Sequence, residues 1–376
     1  MTIGDTITIE ALDTDPYPLY RRLREEEPVS RVPLLRAHLV TRWADVHRVC
    51  RDAEAFGAAV HDSPLSQVVG PNLVHSDGEY HRRLRAPLTA GLRPPVVRRS
   101  LEHVVRDCAR ALLRERKPGE EVDLLSAYAL PLAVRVLQKA TGLPELPVES
   151  FAEWVAAIAG GAANYEQNPA KQHRAEAASA AVDEMLGDCL RRRTQGTLLA
   201  GLAAGGASFA ELAATVKLLI LGGIQEPRDL FAHALTARLT VPGTGADLAE
   251  LVEEALRYGS PVGTVTRRVT TPAVLSGTRL APGTLVLAVL ASANRDPRCW
   301  DAPDEFRVGR AHNHHLAFSA GAHACVGATL GRTQVRIALE ELLTAYPGVR
   351  LTEQPVFRGW EFRGPASLKV RLAGAP

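Results

Sequence analysis

Apolar positions recur at helical spacing through most of the chain, so helices are the expected framework. The first amphipathic run covers Pro16 to Glu27. Others follow over 81–90, 95–115, 125–140, 148–160 and 172–193, each broken by glycine or proline. The longest begins at Ser208, whose spacing to Glu211 is that of a capping box. An apolar stripe continues through Leu212, Val216, Leu219, Ile220 and Gly223 to about Leu239. At ~1.5 Å per residue, a helix of about thirty residues would cross a whole domain. Further helices are expected over Asp247 to Tyr258 and Gly327 to Tyr346, the last stopped by Pro347 and Gly348. Strand patterning is short: Val274 to Leu280 and Thr284 to Leu290 flank Ala281-Pro282-Gly283 as a hairpin, and Ser367 to Leu372 adds another strand. Gly201 to Gly206 reads as a loop. The pattern predicts one mainly α domain over residues 1–376, with a small β region in its C-terminal half.

Composition changes this picture little. The chain is 46% hydrophobic and 23% charged, as expected for a protein with a substantial core. Its net charge of +2 gives no reason to expect a nucleic-acid partner. No apolar run is long enough for a membrane span, and the start at Met1 lacks a basic segment followed by an apolar one, so a cytoplasmic location is expected. The cysteines Cys50, Cys108, Cys189, Cys299 and Cys325 are dispersed and odd in number, which suits reduced thiols. The absence of any C-x-x-C disfavours zinc ribbons, thioredoxin-like chemistry and covalent haem attachment.

The candidate chemistry lies between Phe318 and Gly327. There Gly321 and Gly327 bracket Cys325, and a helix follows at once. Glycine permits close approach of backbone to a flat ligand. The start of a helix brings N–H groups and a positive dipole end toward the sulfur, which favours thiolate. A thiolate beneath iron would favour O–O cleavage. A buried structural cysteine in a glycine-rich turn fits this short stretch equally well.

The flanking motifs decide between the two. Phe318, Gly321, His323, Cys325 and Gly327 form F-x-x-G-x-H-x-C-x-G, Glu254 and Arg257 form E-x-x-R, and Asn294-Arg295-Asp296-Pro297 precedes Phe306 to Arg310. In this order they resemble the cytochrome P450 superfamily, soluble bacterial type, over nearly the whole chain. The resemblance implies a single-domain fold, a triangular prism of helices around haem b with Cys325 as axial iron ligand. It implies that Glu254, Arg257 and Arg310 form a buried ion network shaping the cysteine loop. It implies that the haem propionates meet His81 and Arg85 on an early helix, Arg268, and His315 ahead of the cysteine loop.

The long helix departs from the family pattern. Where the family carries A/G-G-x-D/E-T-T, this chain reads Gly222-Gly223-Ile224-Gln225-Glu226-Pro227. Pro227 cannot donate to the helix ladder at Gly223, so a kink and an oxygen groove are expected there. Glu226 can act as a general acid if burial raises its pKa, with Gln225 orienting water or Glu226. A carboxylate at that place could also take a proton from hydrogen peroxide, a peroxygenase route. This helix, together with Ala293-Asn294 and Gly359 to Pro365, is similar to the bacterial aromatic O-demethylases that act on guaiacol- or syringol-like methoxyphenols. Phe362 matches one member of that branch's aromatic cluster, whereas Val68 and Ile158 stand at the other two. Leu218, Gly222, Val262, Val265 and Thr266 complete the expected pocket, whose small and apolar character favours an apolar substrate body.

The chain carries no dinucleotide fingerprint and no four-cysteine iron–sulfur pattern. The resemblance therefore implies electrons from NAD(P)H through a separate ferredoxin or flavin/iron–sulfur reductase, docking near Arg93, Arg98, Arg99 and Arg332. The expectation is a monooxygenase that hydroxylates or O-demethylates a small aromatic molecule. The alternatives are a tailoring P450 of secondary metabolism, performing hydroxylation or oxidative coupling, and a non-catalytic haem- or ligand-binding protein.

Overall fold

The computed structural model describes residues 2–192, 197–244 and 247–374. The helices that frame the site are α1 (Pro64–Val69), α2 (Gly78–Gly91), α3 (Leu130–Thr141), α4 (Val148–Ala162), α5 (Pro169–Arg192), α6 (Phe209–Ile220), α7 (Glu226–Thr240), α8 (Leu248–Gly259) and α9 (Ala328–Ala345). The predicted helices are present within a few residues of their expected ends. Residue 193, the last expected in α5, lies outside the described residues. Ser208 starts α6 through a complete capping box: its side chain accepts from Glu211 N–H, and Glu211 accepts from the Ser208 N–H.

Two apolar clusters organise the helices. One gathers α1, α4, α5 and α6 around Val68, Ile158, Val182 and Val216. The other gathers α7, α8 and α9 around Leu235, Leu256 and Leu339. Helix α3 serves both, because its 3.6-residue period puts Val134 and Leu137 on one side and Leu132 and Val136 on the other. The long central helix also passes from one cluster to the other. At the crossing, Leu221–Gln225, it widens into a π-helical turn. The proline kink expected at Pro227 is therefore a bulge that begins before the proline, a form of ladder defect that frees backbone groups at the site.

The main sheet contains β1 (Val29–Val32), β2 (Ala37–Val40), β3 (Phe56–Gly57), β4 (Thr264–Val269) and β5 (Leu285–Val289), in the order β1-β2-β5-β4-β3. Half of this sheet comes from the N-terminal sixty residues, so β structure is not confined to the C-terminal half as the pattern suggested. The expected hairpin is also different. Ala273–Leu275 pairs with Thr278–Leu280 about a left-handed Gly277, while Leu285–Val289 joins the main sheet against β4 and, in parallel, β2. The expected loop at 201–206 is partly helical, Leu198–Ala204 forming a short helix before Gly205 and Gly206. Among the described residues no helix is long and apolar enough to cross a membrane.

Candidate active site

The cysteine loop is closed by its own backbone. Cys325 N–H donates to Phe318 O at 2.9 Å, and Gly321 adopts φ +72°. A Cβ on Gly321 would stand 2.7 Å from Cys50 O, so both the conformation and the close approach require glycine there. Gly327 gives the sulfur room, its missing Cβ position being 3.7 Å from Cys325 Sγ. Helix α9 follows directly. The expectation that the loop by itself favours thiolate is corrected here. Burial, with the Glu226 carboxyl across the interior cleft, pushes the thiol up to about 11 despite the Gly327 N–H, Arg85 and Arg332. The thiolate must come from a coordinated cation, which strips a bound thiol of its proton.

Behind the loop lies the predicted ion network. Arg257 pairs with Glu254 at 2.7 and 2.8 Å, and Arg310 Nε reaches Glu254 at 3.0 Å. The remaining Arg257 donors go to the carbonyls of Asn294, Pro303 and Glu305 at 2.8–2.9 Å. Arg307 N–H adds a further donor to Glu254. Asn294 Oδ1 then accepts from Leu316 N–H at 2.6 Å, which ties this network to the chain entering the cysteine loop. Every charge here is paired although Glu254 and Arg257 are fully buried.

At one edge of the cleft four cationic or ionisable groups converge. The rings of His81 and His323 lie 4.1 Å apart, and His323 Nε2 meets Asp77 at 3.2 Å. Arg85 donates to Ala324 O. The fourth member is Arg267, which is 3% exposed and has its bond to Thr266 O as partner. The expected residue, Arg268, points the opposite way along β4, to Asp62 and Gly283 O. Neighbouring residues of a strand face opposite sides, so a shift of one residue exchanges an interior cation for an outer one. The other correction is His315: its ring bonds Glu253 at 3.1 Å, a carboxylate it shares with Arg332, and it makes no contact with the His81–His323 pair.

These residues fit a haem. His81 Nε2 is buried without a partner, and burial lowers the pKa values of both His81 and Arg267. His323 is held down to about 4 by burial, Arg267 and His81. Against these groups stands Asp77 alone. A dianionic edge such as two propionates would satisfy the orphaned nitrogen and neutralise the cluster.

On the opposite wall, the bulge turns Gly222 toward the cleft, and a Cβ there would lie 3.1 Å from Glu226 Oε2. The Glu226 carboxyl is thus folded back over Gly222. Burial, then the neighbouring Asp229, pushes it up to about 8. Gly223 packs against Leu137 of α3, 3.0 Å from its Cβ position, so the open glycine of the pair is Gly222, not Gly223. Gln225 orients neither Glu226 nor the cleft: its amide donates to Asp229 Oδ2 at 2.8 Å. Arg228 grips Asp229 Oδ1 with two donors at 2.6 and 2.9 Å. Asp229 is a site residue that the sequence reading missed. Its i+3 and i+4 spacing from Glu226 and Gln225 puts all three on one helix face, which was the available signal.

Leu218, Val262, Val265 and Phe362 are only partly buried, Gly222 is exposed, and Val262 and Phe362 form an isolated β-bridge. Thr266 is excluded from this wall. It lies on the same face of β4 as Arg268, and its hydroxyl reaches Tyr165. Val68 and Ile158 are buried in the packing of α1 on α4. Of the expected electron-donor contacts, Arg93, Arg98 and Arg99 are exposed, whereas Arg332 is bound to Glu253 and lies over the Phe318 ring at 4.4 Å.

The Cytochrome P450 family model matches residues 248–353. Cytochrome P450 107B1 of Saccharopolyspora erythraea is 31% identical, covering 99% of both chains. Nocardicin C N-oxygenase of Nocardia uniformis subsp. tsuyamanensis is 32% identical over 98% of this chain and 97% of its own. Among solved structures, the cytochrome P450 enzyme CxnD, for C–S bond formation in chuangxinmycin biosynthesis, superposes with a TM-score of 0.90 at 26% identity, covering 99% of this chain and 98% of its own. With the cysteine loop, the buried ion network and the cationic edge in place, this chain belongs to the cytochrome P450 superfamily and is a monooxygenase that uses haem b.

Proposed function

We propose that the chain is a tailoring monooxygenase of secondary metabolism, which oxidises a small molecule with an apolar body, and that Cys325 holds the haem iron. The observation that carries this reading is the interior cleft itself. Cys325, open to the cleft on one wall, faces the Glu226 carboxyl on the other, whose pKa is pushed up to about 8, with the cationic edge of His81, Arg85, Arg267 and His323 beside them. The similarity to nocardicin C N-oxygenase and to the enzyme for C–S bond formation in chuangxinmycin biosynthesis supports the tailoring role. Aromatic O-demethylation is less supported, because Val68 and Ile158 are aliphatic and closed into core packing, leaving Phe362 alone of the aromatic cluster.

Bound haem b supplies the oxygen-activating chemistry, with electrons from NAD(P)H through separate redox partners. The chain's own residues do the rest. Leu218, Val262, Val265 and Phe362 hold the substrate body and exclude water. Glu226 keeps a proton at neutral pH and delivers it from its carboxyl over Gly222, while Arg228 and Gln225 fix Asp229 beside it, whose own carboxyl burial raises despite those two donors. A peroxide-driven route would need the ionised carboxyl to take a proton from hydrogen peroxide, so it would be favoured only as pH rises past about 8. Arg93, Arg98 and Arg99 offer an acidic electron donor a basic surface on the cysteine side, and the cytoplasm is the place where such donors are found. The test is the reduced, carbon-monoxide-bound absorbance of the purified protein. The red-shifted thiolate band is expected, and Cys325→Ser should abolish it; persistence of the band in that variant would remove Cys325 from the iron. A panel of polycyclic and peptidic natural products, set against methoxyphenols in a spin-state titration, then separates tailoring from demethylation.

A further inference from the structure

The segment Gly359 to Pro365 contains a buried acid that the proton-delivery wall does not use. Glu361 is 8% exposed and immediately precedes Phe362. Thr264 of β4 donates to its Oε2 at 2.7 Å, and Gly263 N–H donates to its backbone carbonyl at 2.9 Å. A Cβ on Gly263 would fall 1.7 Å from Trp360 O, so strand and loop are in backbone contact. The Trp360 ring packs against Tyr165, in the connection between α4 and α5, at 5.4 Å. The Tyr165 hydroxyl lies beside the Glu361 carboxyl and reaches Thr266 Oγ1. Glu361 Oε1 and the nearby Tyr20 hydroxyl are both buried without partners.

We propose that Glu361 is a positioning residue for the substrate cavity: its carboxyl fastens the loop carrying Phe362 to β4 and to the α4–α5 connection, and its proton sets whether that fastening holds. The inference rests on the reading of Phe362 and Val262 as cavity wall.

The electrostatics supply the switch. Burial pushes the Glu361 carboxyl up to about 7, while Thr264 and Tyr165 lower it. The ionisable groups facing it are few. Tyr17 and Tyr20 come from the Tyr17–Glu26 helix, Asp13 from the short helix before it, and Tyr165 from the α4–α5 connection. Arg363 is the cation nearby, and it is engaged by Gly359 O at 3.0 Å and the Tyr17 ring. The neutral acid satisfies Thr264 at small cost. The ionised form leaves a buried charge with one oxygen unpartnered and no cation bonded to it, a state relieved by letting water or a cation in. A raised carboxyl pKa means that the closed arrangement binds the extra proton. It is therefore favoured below the ordinary carboxylate range and loses its advantage as pH rises through about 7.

The experiment uses haem-loaded protein and two probes, imidazole and 4-phenylimidazole, titrated by their Soret shifts from pH 6 to 8.5. Their affinity ratio cancels protonation of the azole and reports contact of the phenyl ring with the cavity wall. In the wild type the ratio should fall several-fold with rising pH, with a midpoint near 7. Glu361→Gln, which keeps the hydrogen-bonding shape without the charge, should hold the low-pH value throughout. Tyr165→Phe should move the midpoint upward, because it removes a group that favours the ionised form. A flat wild-type ratio, or a Gln variant that follows the wild type, overturns the proposal. Hydrogen exchange of residues 359–365 and 163–167 over the same pH range reads the fastening without the iron. Protection should fall with pH in the wild type and stay constant in Glu361→Gln, and equal behaviour of the two proteins again overturns it. A protein giving neither azole spectrum would instead count against the haem-site reading, and the exchange data would still decide the role of Glu361.

Discussion

The two sides of the cleft treat the same residue type in opposite ways. On the cysteine side Glu254 is locked by Arg257 and Arg310. Its neighbour Glu253, which burial alone would raise, is pushed down to about 2 by His315 and Arg332. On the far side Glu226 and Glu361 are buried with no cation of their own and are pushed up to about 8 and about 7. Burial is common to both sides; countercharge is not. Where a cation is built in, the carboxylate is permanently ionised and works as a fastener, holding the cysteine loop rigid. Where it is withheld, the carboxyl keeps a proton it can give up, which is what an acid catalyst or a proton-set latch needs.

The largest test of this contrast is Arg257→Ala. It strands Glu254 and three carbonyls in the core, and should cost about 3–5 kcal/mol in denaturant unfolding, with loss of bound haem. A small effect would mean that the network is not what shapes the loop. Glu226→Gln examines the other side. Folded Glu226 keeps its proton to about 8, whereas the unfolded chain releases it near 4.5. The folded state therefore binds the extra proton, and stability of the haem-loaded protein should fall as pH rises between those values, by on the order of 3 kcal/mol. The Gln variant should lose this share of the slope and keep only the part that Glu361 contributes below about 7, and an unchanged pH slope would show that Glu226 is already ionised. The smallest expected effect separates the two faces of β4. Arg267→Ala should speed haem transfer to an acceptor globin about tenfold, equivalent to about 1.4 kcal/mol. Arg268→Ala breaks only a surface pair and should change transfer by less than about 1 kcal/mol. Equal effects would undo the assignment of Arg267 to the haem edge.

The helical framework was legible because amphipathic period and caps are local properties. Ser208 with Glu211 and the stripe after it define the start of the central helix with no help from the rest of the chain. The cysteine loop was legible because Gly321 has no substitute at φ +72° against Cys50 O. The cation at the haem edge was not. Arg267 and Arg268 are chemically identical, and which one faces inward follows from the pairing of Thr264 with Val289 and Arg268 with Leu285. The N-terminal strands escaped notice for a similar reason. Val29–Val32 and Ala37–Val40 are four residues each, too short to show a period; Ala37–Val40 is recruited by β5 from a distance of some 250 positions in the chain, and Val29–Val32 then pairs with it.

The sequence alone determined which residues could carry chemistry and the order in which helices, ion network and cysteine loop appear, since those depend on side-chain type and local spacing. Only the tertiary structure decided the proton affinity and facing of the groups: that Cys325 opens on the cleft with its thiol pushed up, that Glu226 and Glu361 are pushed up while Glu253 is pushed down, and that Arg267 rather than Arg268 faces inward beside His81 and His323. Desolvation and countercharge are sums over everything packed around a group, and strand facing depends on a partner far away in the chain, so neither quantity exists until the chain has folded.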